Sequence, residues 1–132
     1  EIAPGRVVVV FGCGGDRDTG KREKMGTIAE RLGRTVYVTS DNPRTENPEK
    51  ILQEICAGFH HAEYDREADR GRAIHLAIMN AQPGDTILIA GKGHETYQLV
   101  GGEKRPFSDV LEAERALQQR QVSRGGDARA PD

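Results

Sequence analysis

The sequence predicts an open, doubly wound α/β sheet that is mostly parallel, with an antiparallel hairpin near the C-terminus. Segments of strand length and β-branched composition alternate with segments of helical periodicity. The connections between the strands are long enough for parallel pairing, which favours this architecture. The 132 residues suffice for one domain with one hydrophobic core.

The first half of the chain predicts two strands and two helices. The β-branched run over residues 6–11 is typical of a strand buried on both faces. Residues 22–32 form a helix that ends at Gly33, and residues 35–40 form the next strand. The inward stripe of this helix is Met25, Ile28, Ala29 and Leu32. Asn47 and Pro48 begin a second helix.

The second half predicts an extended piece near residues 62–64 and a long helix over 66–81. Residues 86–90 form another buried strand, and residues 97–107 form a hairpin around Gly101 and Gly102. A helix over 109–119 completes a Rossmann-like domain, which we expect to span residues 1–121. Residues 122–132 are polar and rich in Gly, Arg and Asp, so we expect a disordered tail or a linker.

Composition restricts the partners of the chain. The net charge is −2 with both signs mixed, which gives no support for nucleic-acid binding. No apolar stretch approaches the roughly 20 residues that span a bilayer, and no signal peptide is visible. Cys13 and Cys56 lack any CxxC or metal-ligand spacing, so we expect two reduced thiols in a cytoplasmic protein.

Three loops leave the predicted strands at one edge of the sheet. They cover residues 12–21, 41–44 and 91–95, and all three are rich in glycine or charge. Because ligands bind at the carboxyl ends of the strands in such sheets, we expect the functional site where these loops meet.

The first loop, GCGGDRDTGKR, fits neither of two common nucleotide motifs. Arg17 stands where the dinucleotide fingerprint needs its third glycine. Arg22 replaces the hydroxyl with which a phosphate loop holds Mg²⁺, and Asp16 and Asp18 would repel the phosphates. In a ligand loop, Arg17 could pair with a carboxylate and Asp16 with ribose hydroxyls. The alternative is a surface loop whose charges pair among themselves.

The other two loops offer groups of both charges. In the second, Arg44 could bind a carboxylate and Asp41 an ammonium, while Asn42 can donate and accept. The alternative is a capped turn in which Asp41 is a local acceptor. In the third, Gly91 lets the backbone approach a ligand and Glu95 adds a second carboxylate. The histidines lack ligand-like partners, so we predict no metal site.

Four stretches in order resemble the carboxy-terminal domain of the Mur ligases, and among them the members that add meso-diaminopimelate. These stretches are FGCGGDRDTGKR with the MGTIAERL helix, TSDNPRTENP, AGKGHETYQ and PFSD. The resemblance covers nearly the whole chain except the tail. It implies diaminopimelate contacts at Arg17, Asp41, Asn42, Arg44, Gly91 and Glu95, and a nucleotide-ribose contact at Asp16.

The resemblance also implies a reaction. The full ligases use ATP and Mg²⁺, bound mainly by a central domain that has no match here, to join an amino acid to UDP-N-acetylmuramoyl-L-alanyl-D-glutamate during peptidoglycan precursor synthesis. This chain would bind and orient the amino acid, would supply no catalytic residue, and would be inactive alone. Arg44 would pair with the carboxylate that diaminopimelate has and lysine lacks.

Three other interpretations remain open at this point. The chain could be a non-catalytic α/β module that binds a small ligand or a protein. It could belong to a related ATP-dependent amide ligase of the folylpolyglutamate type, or to a ligase fused to another enzyme through the tail.

Overall fold

Four parallel strands form the central sheet in the order β3-β2-β1-β4. The computed structural model describes residues 5–16, 18–60, 63–92 and 94–129, the last six of these by their backbone alone. The strands of this sheet are β1 (Val7–Phe11), β2 (Thr35–Val38), β3 (Glu63–Arg66) and β4 (Thr86–Ile89). Every pairing in this sheet is parallel, and β1 lies between β2 and β4.

Helices connect these strands, and an antiparallel hairpin follows them. The helices are α1 (Gly20–Leu32), α2 (Pro48–Cys56) and α3 (Arg70–Asn80), followed after the hairpin by α4 (Asp109–Arg129). The hairpin consists of β5 (Tyr97–Val100) and β6 (Glu103–Pro106) and turns through Gly101 and Gly102, which both have positive φ. The predicted fold class and the hairpin are thereby confirmed.

The core lies on both faces of the sheet, as the run of β-branched residues in β1 predicts. Alternate residues of β1 point to opposite faces, so each face receives part of this strand. The face covered by α1 and α2 buries Val9, Phe11, Ala29, Val36, Val38, Ile51, Leu52 and Ile55. The face covered by α3 and α4 buries Val8, Val10, Tyr37, Ala73, Ile74, Ala77, Ile78 and Ala116.

The predicted inward stripe of α1 is wrong except at Ala29. Met25, Ile28 and Leu32 are 41%, 47% and 57% exposed and line an apolar groove beside β4. The reason is the close approach of α1 to α2 through Gly26, where a Cβ atom would overlap the carbonyl oxygen of Ile55. That contact turns the larger apolar side chains of α1 away from the core.

Two further predictions differ from the structure. β4 was expected to be a buried strand, but it is an edge strand whose Leu88 is 44% exposed, because β1 is its one strand neighbour in the described sheet. The helix expected over residues 66–81 begins at Arg70. Residues up to Arg66 pair with β2 instead, and the Asp69 side chain caps the helix by accepting from Arg72 N. Ala62 of the predicted extended piece lies outside the described residues.

α4 extends ten residues beyond its predicted end at residue 119. Residues 122–129, which were expected to form a disordered tail or linker, continue the helix. No proline interrupts the chain between Pro106 and Pro131, so no residue there excludes helical backbone. The placement of residues 122–132 outside the domain stays a prediction. Within the described ranges, no helix is both long enough and apolar enough to cross a membrane.

Candidate ligand-binding site

The loops that follow β1, β2 and β4 meet at the carboxyl edge of the sheet. The first two pack backbone against backbone: a Cβ on Gly12 would overlap the carbonyl oxygen of Thr39, and one on Gly15 would overlap that of Pro43. The amide of Gly15 donates to the carbonyl oxygen of Asn42 at 2.7 Å. The glycines after β1 therefore serve close contact between loops.

The two described acids of the glycine loop both have hydrogen-bond partners within the chain. Asp18 accepts a hydrogen bond from the amide of Gly20 at 2.9 Å, at the start of α1. Asp16, whose φ is +54°, accepts from the amide of Thr45 at 3.2 Å and from its hydroxyl at 2.8 Å. The ribose contact of Asp16 stays a prediction. Arg17 lies outside the described residues.

Asn42 lies at the centre of the site and is 4% exposed. Its Oδ1 accepts from Lys92 Nζ and from the amide of Leu99, each at 3.0 Å. Its Nδ2 donates to Glu95 Oε1 at 3.3 Å. With both ends of the amide engaged, Asn42 joins the loop after β2 to the loop after β4 and to β5.

Lys92 is a buried cation that the sequence analysis did not identify as a site residue. Its side chain is fully buried and donates to the carbonyl oxygen of Tyr97 at 2.8 Å. Nζ also lies 3.3 Å from Asp41 Oδ1 and 3.3 Å from Glu95 Oε1. Asp41 Oδ1 is buried and makes no hydrogen bond of good geometry, so its contact with Lys92 is an ion pair.

Arg44 presents a guanidinium group that has only carbonyl partners among the described residues. Nη1 donates to the carbonyl oxygens of Gly15 at 3.0 Å and Asn42 at 3.3 Å. No carboxylate of the described part pairs with it, so donors remain for an external anion. The backbone of Arg44 is left-handed, with φ +55°.

The hairpin fixes the loop after β2. The amide of Arg44 donates to the carbonyl oxygen of Leu99 at 2.9 Å, and the Arg44 carbonyl accepts from Gly101 at 2.6 Å. Gln98 Nε2 donates to the carbonyl oxygen of Asp41 at 2.7 Å. The sequence predicted the hairpin but not this docking, which satisfies backbone groups that the left-handed turn leaves free.

A buried ion-pair cluster around Arg22 of α1 holds the glycine loop in place. Arg22 is 1% exposed and donates to Glu46 at 2.7 Å, to Glu54 at 2.8 Å and to the carbonyl oxygen of Gly14 at 3.0 Å. Glu46 also accepts from the amide of Asp16 at 2.8 Å. The Arg22 hydrogen bond, followed by that of Asp16, holds the pKa of Glu46 well below its usual range.

A second buried arginine holds the ends of two strands. Arg70 forms a two-point ion pair with Asp109, at 2.7 and 2.8 Å. It also donates to the carbonyl oxygens of Ser40 at 3.0 Å and Ala90 at 3.1 Å. Arg70 thereby joins the start of α4 to the chain just after β2 and just after β4. These contacts rigidify the two loops that carry the candidate site.

Asp41 also borders a cleft of about 470 Å³ between the glycine loop and α1. Cys13 lines this cleft, and burial raises the pKa of its thiol to about 11, so the reactive thiolate is scarce at neutral pH. Among the described residues, no group of three or more His, Cys, Asp or Glu side chains could hold a metal ion.

The structure thus brings together five of the predicted contact residues. They are Asp41, Asn42, Arg44, Gly91 and Glu95. Gly91, with φ +114°, lies where a Cβ would be 3.8 Å from Asp41 Oδ2. Paired charges at the end of an open parallel sheet are typical of an α/β domain that binds a small polar ligand.

The family model described as "Mur ligase, glutamate ligase domain" matches residues 1–93, and the chain belongs to the Mur ligase family. Relatives named UDP-N-acetylmuramoyl-L-alanyl-D-glutamate--2,6-diaminopimelate ligase occur in Chromobacterium violaceum and Thermosynechococcus vestitus. They are 55% identical over 119 residues and 56% identical over 118 residues, and each alignment covers 89% of this chain and 24% of the relative. The chain therefore spans about a quarter of their length.

A solved structure gives the same result for the fold. It is titled as the structure of a ligase of that same name, with a TM-score of 0.84 and 42% sequence identity. The match covers 88% of this chain and 24% of that chain.

Proposed function

We propose that this chain is the carboxy-terminal, amino-acid-binding domain of an ATP-dependent ligase that adds meso-diaminopimelate to UDP-N-acetylmuramoyl-L-alanyl-D-glutamate in the cytoplasm. One observation carries the proposal: two different loops bring together Asp41, Asn42, Arg44 and Glu95. Among the described residues, no carboxylate neutralises Arg44. The names of the relatives support the same substrate.

The charges of the site suit one end of diaminopimelate. That end carries an ammonium and a carboxylate on the same carbon. Arg44 would bind the carboxylate through the fork of its guanidinium group. Asp41 and Glu95 would bind the ammonium. Lysine has the ammonium at this end but no carboxylate, so lysine would leave the half-buried Arg44 without its anion.

ATP phosphates and Mg²⁺ do not fit the described residues of this chain. The glycine loop turns Asp18 onto the start of α1, where a phosphate loop would present amides to its anion. No group of three or more His, Cys, Asp or Glu side chains lies together as metal ligands would in the described ranges. We propose that the remainder of the full-length protein binds both.

In the proposed mechanism, this domain holds the amino acid and orients it. The free amine of diaminopimelate would attack the acyl carbon of a D-glutamyl acyl phosphate that the rest of the enzyme has formed. The C–N bond would form as the C–O bond to phosphate breaks; phosphate would leave and the amine would release a proton to solvent. Anchoring the distal end by charge leaves the reacting amine directed away from Asp41 and Glu95. The contribution of this chain is orientation and effective concentration of the nucleophile.

The test is the amino-acid preference of the full-length protein. We expect kcat/KM for meso-diaminopimelate to exceed that for L-lysine by at least about a hundredfold, because an unpaired polar group in the site penalises the smaller substrate. Amide formation is measured with ATP and UDP-N-acetylmuramoyl-L-alanyl-D-glutamate present. Equal use of the two amino acids would contradict the proposal.

A further inference from the structure

We propose that Lys92 is a positioning residue that sets the spacing of the two carboxylates which receive the ammonium of the amino acid. This inference rests on the proposed function and adds to it a residue that would not itself touch the substrate. Asp41 belongs to the loop after β2 and Glu95 to the loop after β4, and the Lys92 ammonium lies 3.3 Å from an oxygen of each.

The contacts of Lys92 place it at the junction of all the parts that form this half of the site. Besides the two carboxylates, Nζ donates to Asn42 Oδ1 at 3.0 Å and to the carbonyl oxygen of Tyr97, at the start of β5, at 2.8 Å. One ammonium therefore joins two loops and the hairpin. Because the Lys92 side chain is fully buried, its ammonium group has few alternative sets of hydrogen-bond acceptors.

Lys92 contacts one oxygen of each carboxylate and leaves the other oxygen available to the ligand. Lys92 contacts Oδ1 of Asp41 and Oε1 of Glu95. Within the described part of the chain, Oδ2 of Asp41 and Oε2 of Glu95 make no hydrogen bond. Two carboxylates and one lysine leave a formal charge of −1, which a single ligand ammonium would neutralise. Without Lys92, the like charges of Asp41 and Glu95, whose side chains are 17% and 38% exposed, would repel each other.

The inference is tested with Lys92→Met in the full-length protein, because methionine keeps the length of the side chain and removes the charge. We expect KM for meso-diaminopimelate to rise by about tenfold to a hundredfold, as displaced binding groups lose their alignment. We expect KM for the UDP-linked substrate to change less than about twofold. A lysine that only supported the fold would not separate the two KM values.

Two controls make the comparison sharp. Lys104→Met is the same substitution at an exposed lysine that lies 4.4 Å from the ring of Tyr97 and contacts neither carboxylate. Ile78→Val lowers stability through the core face under α3, away from the site. Neither should raise KM for meso-diaminopimelate, even where thermal unfolding shows a lower Tm.

The outcomes separate this inference from the proposed function. If the wild-type protein does not use meso-diaminopimelate, the proposed function fails. If it does and Lys92→Met leaves both KM values unchanged, or raises both equally, Lys92 is not a positioning residue. Should Lys92→Met fail to fold, Lys92→Arg keeps the charge but replaces the compact ammonium by a planar fork. We then expect the same selective rise in KM, and a wild-type KM would overturn the inference.

Discussion

Arg44 combines a left-handed backbone with a side chain that reaches only carbonyl oxygens of the described residues. Left-handed backbone costs a side-chain-bearing residue about 1–2 kcal/mol. The hydrogen bonds of its amide and carbonyl to Leu99 and Gly101 offset that cost. The arrangement holds the guanidinium against the carbonyl oxygens of Gly15 and Asn42, where the loops after β1 and β2 meet.

Replacing Arg44 by Ala in the full-length protein should lower kcat/KM for meso-diaminopimelate by about 10- to 100-fold, the value of one charge-assisted hydrogen-bonded pair. The value for lysine should change less than about threefold, because lysine has no carboxylate at that end. Amide formation from each amino acid is the measurement.

Arg105→Ala is the matched control for that comparison, since Arg105 lies on the hairpin that contacts the Arg44 turn and pairs with the exposed Glu103. It should leave both amino acids unaffected. Equal losses for diaminopimelate and lysine in Arg44→Ala would remove Arg44 from recognition of the carboxylate.

The sequence predicted five contact residues that the structure brings together, but it missed the residues that hold them in place. Asp41, Asn42 and Glu95 were predictable because each follows a strand at the carboxyl edge of a parallel sheet. Lys92 and Arg70 were not, because charged residues are usually exposed and nothing in their local pattern indicates burial. Their partners lie up to 50 residues away, so the pairings became visible only in the folded chain.

At the scale of elements, the Arg22 cluster joins α1, the glycine loop and α2. Glu46 and Glu54 both pair with the buried Arg22, and the arginine holds the pKa of each carboxyl below its ordinary value. A carboxyl whose pKa is lower in the folded than in the unfolded chain stabilises the fold above its unfolded pKa. That stability disappears as pH falls through the folded value.

We therefore expect the free energy of unfolding to fall as pH drops below about 4.5, the ordinary value for Glu. Glu46→Gln should cost about 1.5–3 kcal/mol at pH 7, because Arg22 loses a charged partner. The same variant should show a weaker dependence on pH in the acid range. Urea unfolding between pH 7 and pH 3 measures both effects.

Glu49→Gln is the control for Glu46, since Glu49 lies on the exposed first turn of α2. It should retain the wild-type loss of stability in acid. If Glu46→Gln showed the same acid dependence as the wild type, the Arg22 cluster would not be its source.

The start of α2 followed a local signal, whereas burial depended on tertiary contacts. Asn47 caps α2 as expected, because a cap needs only its own neighbours in sequence. The buried face of α1 was mispredicted because Gly26 allows contact with the backbone of α2, and an apolar stripe alone does not reveal such an approach. β4 reads as a buried strand by composition, but its position at the sheet edge is a property of topology.

At the scale of the whole molecule, this chain corresponds to one part of much longer relatives. The chain matches about a quarter of each. Under the proposed function, its described residues would bind the amino acid, and the remainder of the full-length protein would hold the ATP phosphates and Mg²⁺. Amide formation needs an activated carboxylate and a positioned amine at the same place, and this chain would supply only the second.

We accordingly expect the isolated 132-residue chain to form no amide product from ATP, meso-diaminopimelate and UDP-N-acetylmuramoyl-L-alanyl-D-glutamate, while the full-length protein does. The control is urea unfolding of the isolated chain, in which a cooperative transition would show that inactivity does not arise from loss of the fold. Product is measured by chromatography under identical conditions for both proteins. Any amide formed by the isolated chain would mean that its own residues activate the carboxylate, and the division of the reaction between domains would then be wrong.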